Sequence, residues 1–409
     1  MKLAIVGGGM SGLVAAVTAV KAGAAVTVYE KEERVGRKIL ATGNGRCNLS
    51  NTEMTADHYH GDPSFVEEVY RQIRPQEVLE FWDDLGLILE AEEDRLYPKG
   101  RQASGVLDAL RLEALRRGVN IRTSSPVKHL EKAGDRWRVT SGSGEAAEYD
   151  AVILAVGGKA SPQLGSDGEI AGFAKELKHT LIPLRPALVR LSCQGGYFKM
   201  LAGCKITAGV TLTQNETVLG KEYGEVLFTK EGLSGPPVLN LAREALVPGR
   251  NCRISVHILR DMTESEAFLW LRERAQRFSY MTISEMLSGF LNKRLINPLV
   301  KEADVTLSTP CKKMTKRQIQ TISHLLIDWS FPVSGSAGWK EAQVTVGGVY
   351  TEEVNSDTME SRRHKGLYIV GEALDVDGDC GGYNLHFAAA TGILAAASAV
   401  KAGKDTVNG

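Results

Sequence analysis

The pattern of apolar and polar positions divides the chain into strands and helices of an α/β protein. Continuous apolar runs, such as residues 151–156, are typical of strands buried on both faces of a parallel sheet. Such runs occur near both ends of the chain, which predicts one sheet built from both ends. The predicted elements there are strands at 2–6, 25–29, 151–156 and 366–370, and helices at about 10–22, 64–83, 104–118 and 384–401.

A different pattern fills the middle of the chain. Short alternating runs predict a β-meander at about 119–149 and further strands from about 187 to 260. Helical periods follow from about 264 to 328, with one helix expected at 283–294. We therefore predict a discontinuous α/β domain of residues 1–187 and 344–409, into which a separate domain of residues 188–343 is inserted.

A glycine pattern links the first strand to the first helix. Gly7, Gly9 and Gly12 fill the spacing G-x-G-x-x-G, and Glu30 ends the second strand eighteen residues later. In such a motif the glycines permit a tight turn, close approach of a pyrophosphate, and close packing of helix on strand. The helix N-terminus attracts the phosphates and the acid accepts hydrogen bonds from ribose hydroxyls. The sequence therefore predicts a dinucleotide site.

Composition narrows the class of protein. The 409 residues include 49 Lys+Arg and 49 Asp+Glu, so no global charge draws the chain to nucleic acid or membranes. Residues 3–20 carry no charge, but glycines interrupt them, and we predict no membrane segment. The six cysteines contain no CxxC pair, which argues against a disulfide framework and a structural metal site. We expect a cytoplasmic protein without a bound metal.

Three later segments decide between NAD and FAD. A polar, glycine-punctuated loop at 35–48 follows the ribose-binding acid, and the buried strand at 151–156 breaks into Gly157 and Gly158. A last strand then delivers a polar loop, 371–385, to the N-terminus of a helix. Two-domain FAD enzymes use such a late strand and helix to hold the flavin end of the cofactor. The pattern therefore favours FAD.

These segments also carry a resemblance to a known family. The quoted motifs are residues 7–12, 36–38, Thr-Gly-Asn-Gly-Arg-Cys-Asn at 42–48, 228–229 with 232–236, 345–349, 371–372 and 381–384. With them the chain resembles the HI0933-like flavoproteins, described as NAD(FAD)-utilizing dehydrogenases or aminoacetone oxidase family enzymes. The resemblance implies a Rossmann-type FAD-binding domain with tightly bound FAD. It also implies an inserted β-barrel-plus-helices domain near the flavin, which would serve as the substrate or cap domain.

The expected cofactor contacts come from the motif, from these segments and from the resemblance. They are Gly7, Gly9, Met10, Ser11, Gly12, Glu30, Lys31, Gly36, Arg37, Lys38, Thr42, Gly43, Asn44, Arg46, Cys47, Asn48, Val127, Ala155, Gly157, Gly158, Gly371, Glu372, Asp375, Gly382, Tyr383, Asn384 and Leu385. The chain has one G-x-G-x-x-G unit, whereas glutathione-reductase-like enzymes have two. NAD(P)H, if it is the reductant, would therefore dock transiently.

The catalytic residues are not defined by any motif. Weak candidates for a redox thiol, a hydrogen-bonding group or a proton donor are Cys47, Asn48, Cys380 and His386. Against this, a lone cysteine is more often small apolar filler, and a histidine that begins a helix is more often a cap. Arg37 and Arg46 are equally consistent with pyrophosphate binding, with stabilisation of reduced flavin, or with plain surface charge.

Three functions remain open at this stage. The first is a flavin reductase of an activated C=C bond in a small molecule, and the second is an FAD-dependent oxidase of a small amine or carbonyl compound. The third involves RNA, either uridine reduction in ribosomal RNA, to which the resemblance points, or a non-enzymatic flavin-binding partner of RNA or protein. The RNA hypothesis rests on a basic set in the insert, namely Lys293, Arg294, Lys301, Lys312, Lys313, Lys316 and Arg317.

Overall fold

The computed structural model describes residues 1–408, and the side chains of residues 1–404. The chain divides into two compact units. One unit consists of Met1–Pro186 and Ala342–Gly409, and the other of Ala187–Glu341. The junctions expected from the sequence pattern are 187/188 and 343/344.

A five-stranded parallel sheet forms the centre of the first unit. Its strands, in spatial order, are Leu367–Ile369, Ala151–Leu154, Lys2–Val6, Ala25–Tyr29 and Asn120–Arg122. The first strand of the chain lies in the middle, and the chain leaves it first to one side and then to the other. Its carboxyl end is therefore a topological switch point, where open α/β sheets bind their ligands. The predicted parallel sheet is confirmed.

Helices cover this sheet. The first helix, Met10–Lys21, packs closely on the last, since a Cβ at Gly392 would lie 2.6 Å from the Ser11 carbonyl oxygen. The other helices of the first unit are Arg37–Ala41, Pro63–Gln72, Pro75–Asp83, Ala103–Arg116 and Ile170–Glu176. The pattern at 64–83 thus contains two helices, because Pro75 cannot continue the first one and starts the second.

The last helix, Tyr383–Asn408, is long and apolar. Residues Tyr383–Lys404 are long and apolar enough to cross a membrane by length and composition, but 61% of the apolar window is buried inside the protein. Such burial is typical of a helix in the core of a protein. The alanine-rich sequence of the last helix is explained by its packing on the first helix.

The first unit also contains small antiparallel sheets. Of the meander predicted at 119–149, Val127–Ala133, Arg136–Ser141 and Ala146–Tyr149 form one antiparallel sheet. The prediction is wrong for Asn120–Arg122, which pairs in parallel with Ala25–Tyr29 in the central sheet. A second sheet joins Ser50–Asn51, Arg95–Pro98 and Leu89–Glu92, and a two-stranded ribbon pairs Tyr59–His60 with Asp377–Gly378. The ribbon brings together two parts of the chain that are more than 300 residues apart.

The second unit contains a closed six-stranded antiparallel barrel. Its strands, in order around the barrel, are Leu191–Cys193, Gly232–Ser234, Thr217–Phe228, Lys205–Gln214, Arg253–His257 and Trp329–Ser336. The barrel implied by the family resemblance is therefore confirmed. The last strand was not predicted, because its Pro332 and Gly335 are typical of a loop; it is held by pairing with two distant strands.

Most helices of the second unit lie within the predicted helical region at about 264–328, but Phe198–Leu201 and Pro236–Ala245 lie where only strands were predicted. The helices of this unit are Phe198–Leu201, Pro236–Ala245, Glu264–Arg277, Ile283–Ser288, Lys293–Glu302 and Lys316–Ile327. The prediction of one helix over 283–294 is wrong. The helix ends at Ser288, and Asn292 starts a new one by accepting a hydrogen bond from the backbone N–H of Arg294 at 3.1 Å.

Candidate functional site

The glycines of the motif have separate structural roles. A Cβ at Gly7 would lie 2.3 Å from the Ala155 carbonyl oxygen, and one at Gly12 would lie 2.0 Å from the Gly7 carbonyl oxygen. Both positions therefore hold the crossover of strand and helix together. A Cβ at Gly9 would meet no atom within 4 Å. Gly9 is the N-cap of the first helix and has no capping side chain, so the free N–H groups of that helix begin at an open surface.

Glu30 lies beside this helix start. One of its carboxylate oxygens accepts a hydrogen bond from the Gly8 N–H at 2.8 Å and the other accepts from the Glu32 N–H at 2.9 Å. Burial raises the pKa of Glu30, and the two backbone donors act in the opposite direction. Each oxygen keeps a second lone pair, so the fixed carboxylate can still accept hydrogen bonds from ribose hydroxyls.

Lys31 and Arg37, two of the expected cofactor contacts, pair with acids of the protein. Lys31 Nζ lies 2.6 Å from Asp167 Oδ1 and 3.1 Å from Glu169 Oε2. Arg37 pairs with Glu32 and also donates to the Gln163 carbonyl oxygen at 2.9 Å. The structure thus uses both cations to tie loops together, and neither is held free for a phosphate.

Lys38 connects the loop at 35–48 to the loop at 371–385. Its Nζ lies 2.6 Å from Glu372 Oε2, and Glu372 Oε1 accepts a hydrogen bond from the Thr345 N–H at 2.9 Å. Thr345 Oγ1 in turn accepts from the N–H groups of Lys159 and Ala160 at 2.7 and 2.9 Å. Gly158 packs against Thr345, where a Cβ would lie 2.4 Å from Oγ1. Thr345 is therefore the junction of three predicted segments.

The Thr-Gly-Asn-Gly-Arg-Cys-Asn segment is a tight turn after Thr42. Asn44 and Cys47 both have positive φ angles, of 55° and 58°, which non-glycine residues rarely adopt. Arg46 stacks on the Tyr97 ring at 4.6 Å and lies 3.2 Å from Glu92. The side chain of Arg46 therefore also has protein partners.

This turn contacts the C-terminal glycine-rich loop. A Cβ at Gly382 would lie 2.3 Å from the Ser50 carbonyl oxygen and 2.9 Å from Asn48 Oδ1. Asn51 Nδ2 donates to the Gly381 carbonyl oxygen at 3.1 Å. Asn48 Oδ1 is buried and has no hydrogen-bond partner among the described residues. A buried acceptor without a donor is costly, so a ligand group that donates a hydrogen bond to Asn48 Oδ1 would be stabilising.

The remaining predicted contacts lie around these segments. Val127 follows Ser125, whose N–H donates to the Glu30 carbonyl oxygen at 2.8 Å. Gly157 faces Ser166, with a Cβ-to-Oγ separation of 3.5 Å. Met10 and Ser11 form the first turn of the first helix, and Gly36 is the N-cap of the helix Arg37–Ala41. Gly371 and Asp375 lie in the loop at 371–385, and Leu385 lies in the first turn of the last helix.

The weak catalytic candidates Cys47, His386 and Cys380 differ in burial and in protonation. Cys47 is fully buried, which raises the pKa of its thiol to about 11, so it stays protonated at neutral pH and resembles core filler. His386 is also fully buried, which lowers its pKa to about 3, so it is neutral and cannot deliver a proton as an imidazolium. Its Nδ1 is hydrogen-bonded to Ser50 Oγ at 2.8 Å. Cys380 is half-buried and lies near Arg95.

Tyr383 and Asn384 were expected to face the cofactor, and the structure gives both side chains protein partners. Tyr383 is buried and its ring stacks on His58. Asn384 Oδ1 accepts from the Gly378 N–H at 2.8 Å, and its Nδ2 donates to the Gly378 carbonyl oxygen at 2.7 Å. Their side chains shape the loop, which leaves the backbone of this region to face a ligand.

Sequence reasoning missed His58, His60 and Arg95, which all lie beside the C-terminal loop. The two histidines both approach Asp379, and the Arg95 Nε atom is buried without a hydrogen-bond partner. His58 ends a short 3-10 helix and His60 lies in the strand that follows, and the Asp379 N–H donates to the His58 carbonyl oxygen at 2.9 Å. Nothing local indicated that Asp379 would approach both histidines.

The residues present fit an FAD molecule. The open position at Gly9 lies at a helix start, where a pyrophosphate can be bound by backbone N–H groups. Glu30 lies next to it, as a ribose requires. The Thr-Gly-Asn-Gly-Arg-Cys-Asn turn and the C-terminal loop meet at a buried, unpartnered Asn48 oxygen, which suits the polar edge of a flavin.

Comparisons with known proteins concern the chain as a whole. The sequence model of the HI0933-like protein Rossmann domain matches residues 1–398. A 3-dehydro-bile acid delta(4,6)-reductase of Clostridium scindens is 39% identical over 406 residues, which cover 98% of this chain and 99% of that relative. A protein of Haemophilus influenzae named ribosomal RNA dihydrouridine synthase is 29% identical over 392 residues, 94% of each chain.

Among solved structures, the 3-ketosteroid delta1-dehydrogenase of Sterolibacterium denitrificans has a similar fold, with a TM-score of 0.50. It is 12% identical, and the match covers 98% of this chain and 99% of that one. At that identity the likeness concerns the fold alone. The family match and the 39% identical relative, by contrast, extend over nearly the whole sequence. The chain therefore belongs to the HI0933-like family, a family of FAD-dependent oxidoreductases.

Proposed function

We propose that this protein reduces a C=C bond conjugated to a ketone in a polycyclic, steroid-like substrate. The observation that carries the proposal is the 39% identity to a bile acid delta(4,6)-reductase, which extends over 98% of this chain and 99% of the relative. A substrate of that kind is a small molecule, and its double bond is activated because the ketone withdraws electrons.

We further propose which residues hold the cofactor. The N–H groups that begin at Gly9 would bind the pyrophosphate, and the carboxylate of Glu30 would bind the ribose. The network of Lys38, Glu372 and Thr345 would fix the loops on either side of the cofactor. Asn48 and the loop before Tyr383 would bind the flavin end. Bound FAD in its reduced form supplies the hydride for the electron-poor carbon.

The electron donor is a separate part of the proposal. One G-x-G-x-x-G unit is present, at residues 7–12, and it would be taken by FAD. We therefore propose NAD(P)H as a donor that docks transiently and leaves before the substrate binds. The free state of all six cysteines supports a reducing, cytoplasmic location.

Anaerobic reoxidation of the reduced flavin tests the reaction. The protein is loaded with FAD, reduced without oxygen by NADH, NADPH or one equivalent of dithionite, and mixed with a 3-oxo steroid that carries conjugated double bonds. We expect the oxidised flavin spectrum to return together with one equivalent of product in which a double bond is saturated. The matched saturated ketone should leave the flavin reduced.

Two outcomes would contradict the proposal. If the reduced flavin ignores the conjugated ketone and is reoxidised rapidly by air, the oxidase alternative gains support. If dithionite supports turnover and neither nicotinamide nucleotide reduces the flavin, the reductase stands and the NAD(P)H part of the proposal is wrong.

A further inference from the structure

A buried serine and a buried histidine join the two segments that we propose to hold the flavin end. Ser50 Oγ and His386 Nδ1 lie 2.8 Å apart, and the exposed fractions are 1% for Ser50 and 0% for His386. Ser50 begins the strand Ser50–Asn51, which follows the Thr-Gly-Asn-Gly-Arg-Cys-Asn turn, and His386 lies in the first turn of the last helix. The hydrogen bond therefore connects two elements whose residues are 336 positions apart.

The backbone of Gly381 and Gly382 lies between the same strand and helix. Asn51 Nδ2 donates to the Gly381 carbonyl oxygen at 3.1 Å, and a Cβ at Gly382 would lie 2.3 Å from the Ser50 carbonyl oxygen. On the other side, the His386 N–H donates to the Gly382 carbonyl oxygen at 3.0 Å. Any change in the separation of strand and helix would therefore move the two glycines.

The imidazole of His386 is kept in the core at an energetic cost. A neutral imidazole has one donor and one acceptor, and only Nδ1 has a partner, because Nε2 is buried without one among the described residues. Burial lowers the pKa of His386 to about 3, so the ring is uncharged. An apolar side chain could pack against the neighbouring Tyr70 ring without an unpaired polar atom. Packing therefore does not explain a histidine here, whereas a directional bond to Ser50 does.

The glycine that this hydrogen bond fixes lies beside Asn48. Asn48 Oδ1 is buried without a hydrogen-bond partner among the described residues, and it lies 2.9 Å from the Cβ position of Gly382. A shift of Gly382 would therefore change the space next to this oxygen, which is the place that we propose for the flavin end.

We propose that Ser50 and His386 are positioning residues for the flavin end of FAD, and that their hydrogen bond sets the separation of Asn48 and Gly382; this rests on the cofactor placement in the proposed function. Both side chains are fully buried, so they act through these two neighbours and do not touch the cofactor. A hydrogen bond restricts distance and direction, whereas apolar contact is non-directional. Apolar replacements could therefore fill the same space without fixing the loop.

Three variants separate positioning from stability. Ser50→Ala and His386→Leu each break the hydrogen bond and leave one buried polar group unpaired, so each apoprotein should unfold at a lower temperature than wild type. The double variant removes both polar groups, and its apoprotein should unfold at the wild-type temperature or above it. Thermal unfolding is followed by circular dichroism in the absence of FAD.

The affinity for FAD should follow a different order. We expect each single variant and the double variant to bind FAD about fivefold to tenfold more weakly than wild type, because all three lose the same hydrogen bond. A purely structural role would instead restore the affinity of the double variant together with its stability. The visible circular dichroism of the bound flavin, which reports the surroundings of the ring, should change alike in the three variants.

Two further variants serve as references. Ser323→Ala is the matched control, because Ser323 is fully buried and its hydroxyl donates to the Gln320 carbonyl oxygen at 2.9 Å on a helix of the second unit. It also loses one buried hydrogen bond and should bind FAD with wild-type affinity. Asn48→Ala tests the cofactor placement itself and should weaken FAD binding.

The outcomes separate the two proposals. If Asn48→Ala binds FAD as tightly as wild type, the placement of the flavin end is wrong and the role of the pair is rejected with it. If Asn48→Ala binds weakly and the double variant binds like wild type, only the positioning role is overturned. If the double variant does not fold, Ser50→Ala decides, and wild-type affinity with an unchanged flavin spectrum would reject the role. Binding is measured without a ketone, so a wrong substrate assignment would not alter these results.

Discussion

Replacing Gly9 with valine should abolish FAD retention while the protein stays folded. A Cβ at this position meets no atom within 4 Å, and Gly9 has an extended backbone (φ −80°, ψ −163°) that valine can adopt. The same replacement at Gly12 should disrupt the fold, because its Cβ would lie 2.0 Å from the Gly7 carbonyl oxygen. Two glycines of one motif thus have opposite expected phenotypes.

The magnitudes follow from the geometry. A hydrogen bond to a charged group contributes about 1.5–3 kcal/mol, so keeping a phosphate away from about two N–H groups costs roughly 3–6 kcal/mol. This corresponds to a loss of roughly 10²- to 10⁴-fold in affinity for FAD. The cost to the fold at Gly9 is that of a poorer helix N-cap, about 1 kcal/mol or less.

The assay needs binding and folding measured on the same samples. Apoprotein is titrated with FAD by flavin fluorescence, and thermal unfolding is followed by circular dichroism. Gly105→Val is the matched control, since a Cβ at Gly105 also meets nothing within 4 Å but lies on the helix Ala103–Arg116. Wild-type FAD affinity in a folded Gly9→Val protein would refute the assignment of the pyrophosphate to this helix start.

Three further predictions concern titration and charge. Cys380 is the half-buried member of the six cysteines, so iodoacetamide should modify it in the native protein; rapid labelling of a second thiol would contradict the structure. The five that should react only after unfolding, because burial raises their pKa values, are Cys47, Cys193, Cys204, Cys252 and Cys311. The pKa of His386 falls from 6.5 to about 3 on burial, so its contribution to stability is present above about pH 6.5 and is lost as the pH falls towards 3. The free energy of unfolding of the wild-type protein, measured in urea, should therefore decrease by up to about 1.4 kcal/mol for each pH unit in that window. His386→Gln should remove this pH dependence. A variant that replaces four exposed basic residues with alanine should retain FAD and ketone reduction; the residues are Lys312, Lys313, Lys316 and Arg317. If wild type binds ribosomal RNA in a salt-sensitive way and this variant does not, an RNA substrate would be favoured instead.

The parts of the fold that the sequence predicts are those with local causes. The apolar run at 151–154 is buried at every position, and the turn after the first strand requires glycine where strand, helix and a neighbouring strand touch. Helix starts are also local, as the reciprocal hydrogen bonds of Thr315 and Gln318 show. The strand Trp329–Ser336 has no such cause, and it exists because the barrel must close.

The residues of the candidate site also divide into those that local sequence predicts and those that distant contacts bring together. The glycine motif and Glu30 lie within one strand–helix–strand unit, so spacing alone predicts them. The partner of Lys38 lies 334 residues away, and the partner of His58 lies 321 residues away. Sequence spacing carries no information on such pairs, which explains why the pairing of Lys38 with Glu372 and the approach of His58 to Asp379 were not predicted.

The pairing of these charges changes how the anion site must work. Two of the cations expected to contact the cofactor are already paired with acids, Lys31 with Asp167 and Glu169, and Lys38 with Glu372. A pyrophosphate therefore has to be held mainly by backbone N–H groups and by the partial positive charge of the first helix, which acts over short distances in a fixed direction. Such a site depends on how closely the phosphate approaches the backbone and little on any single side-chain charge. For that reason one β-branched side chain at Gly9 should do more harm to FAD binding than the loss of any one lysine or arginine around it.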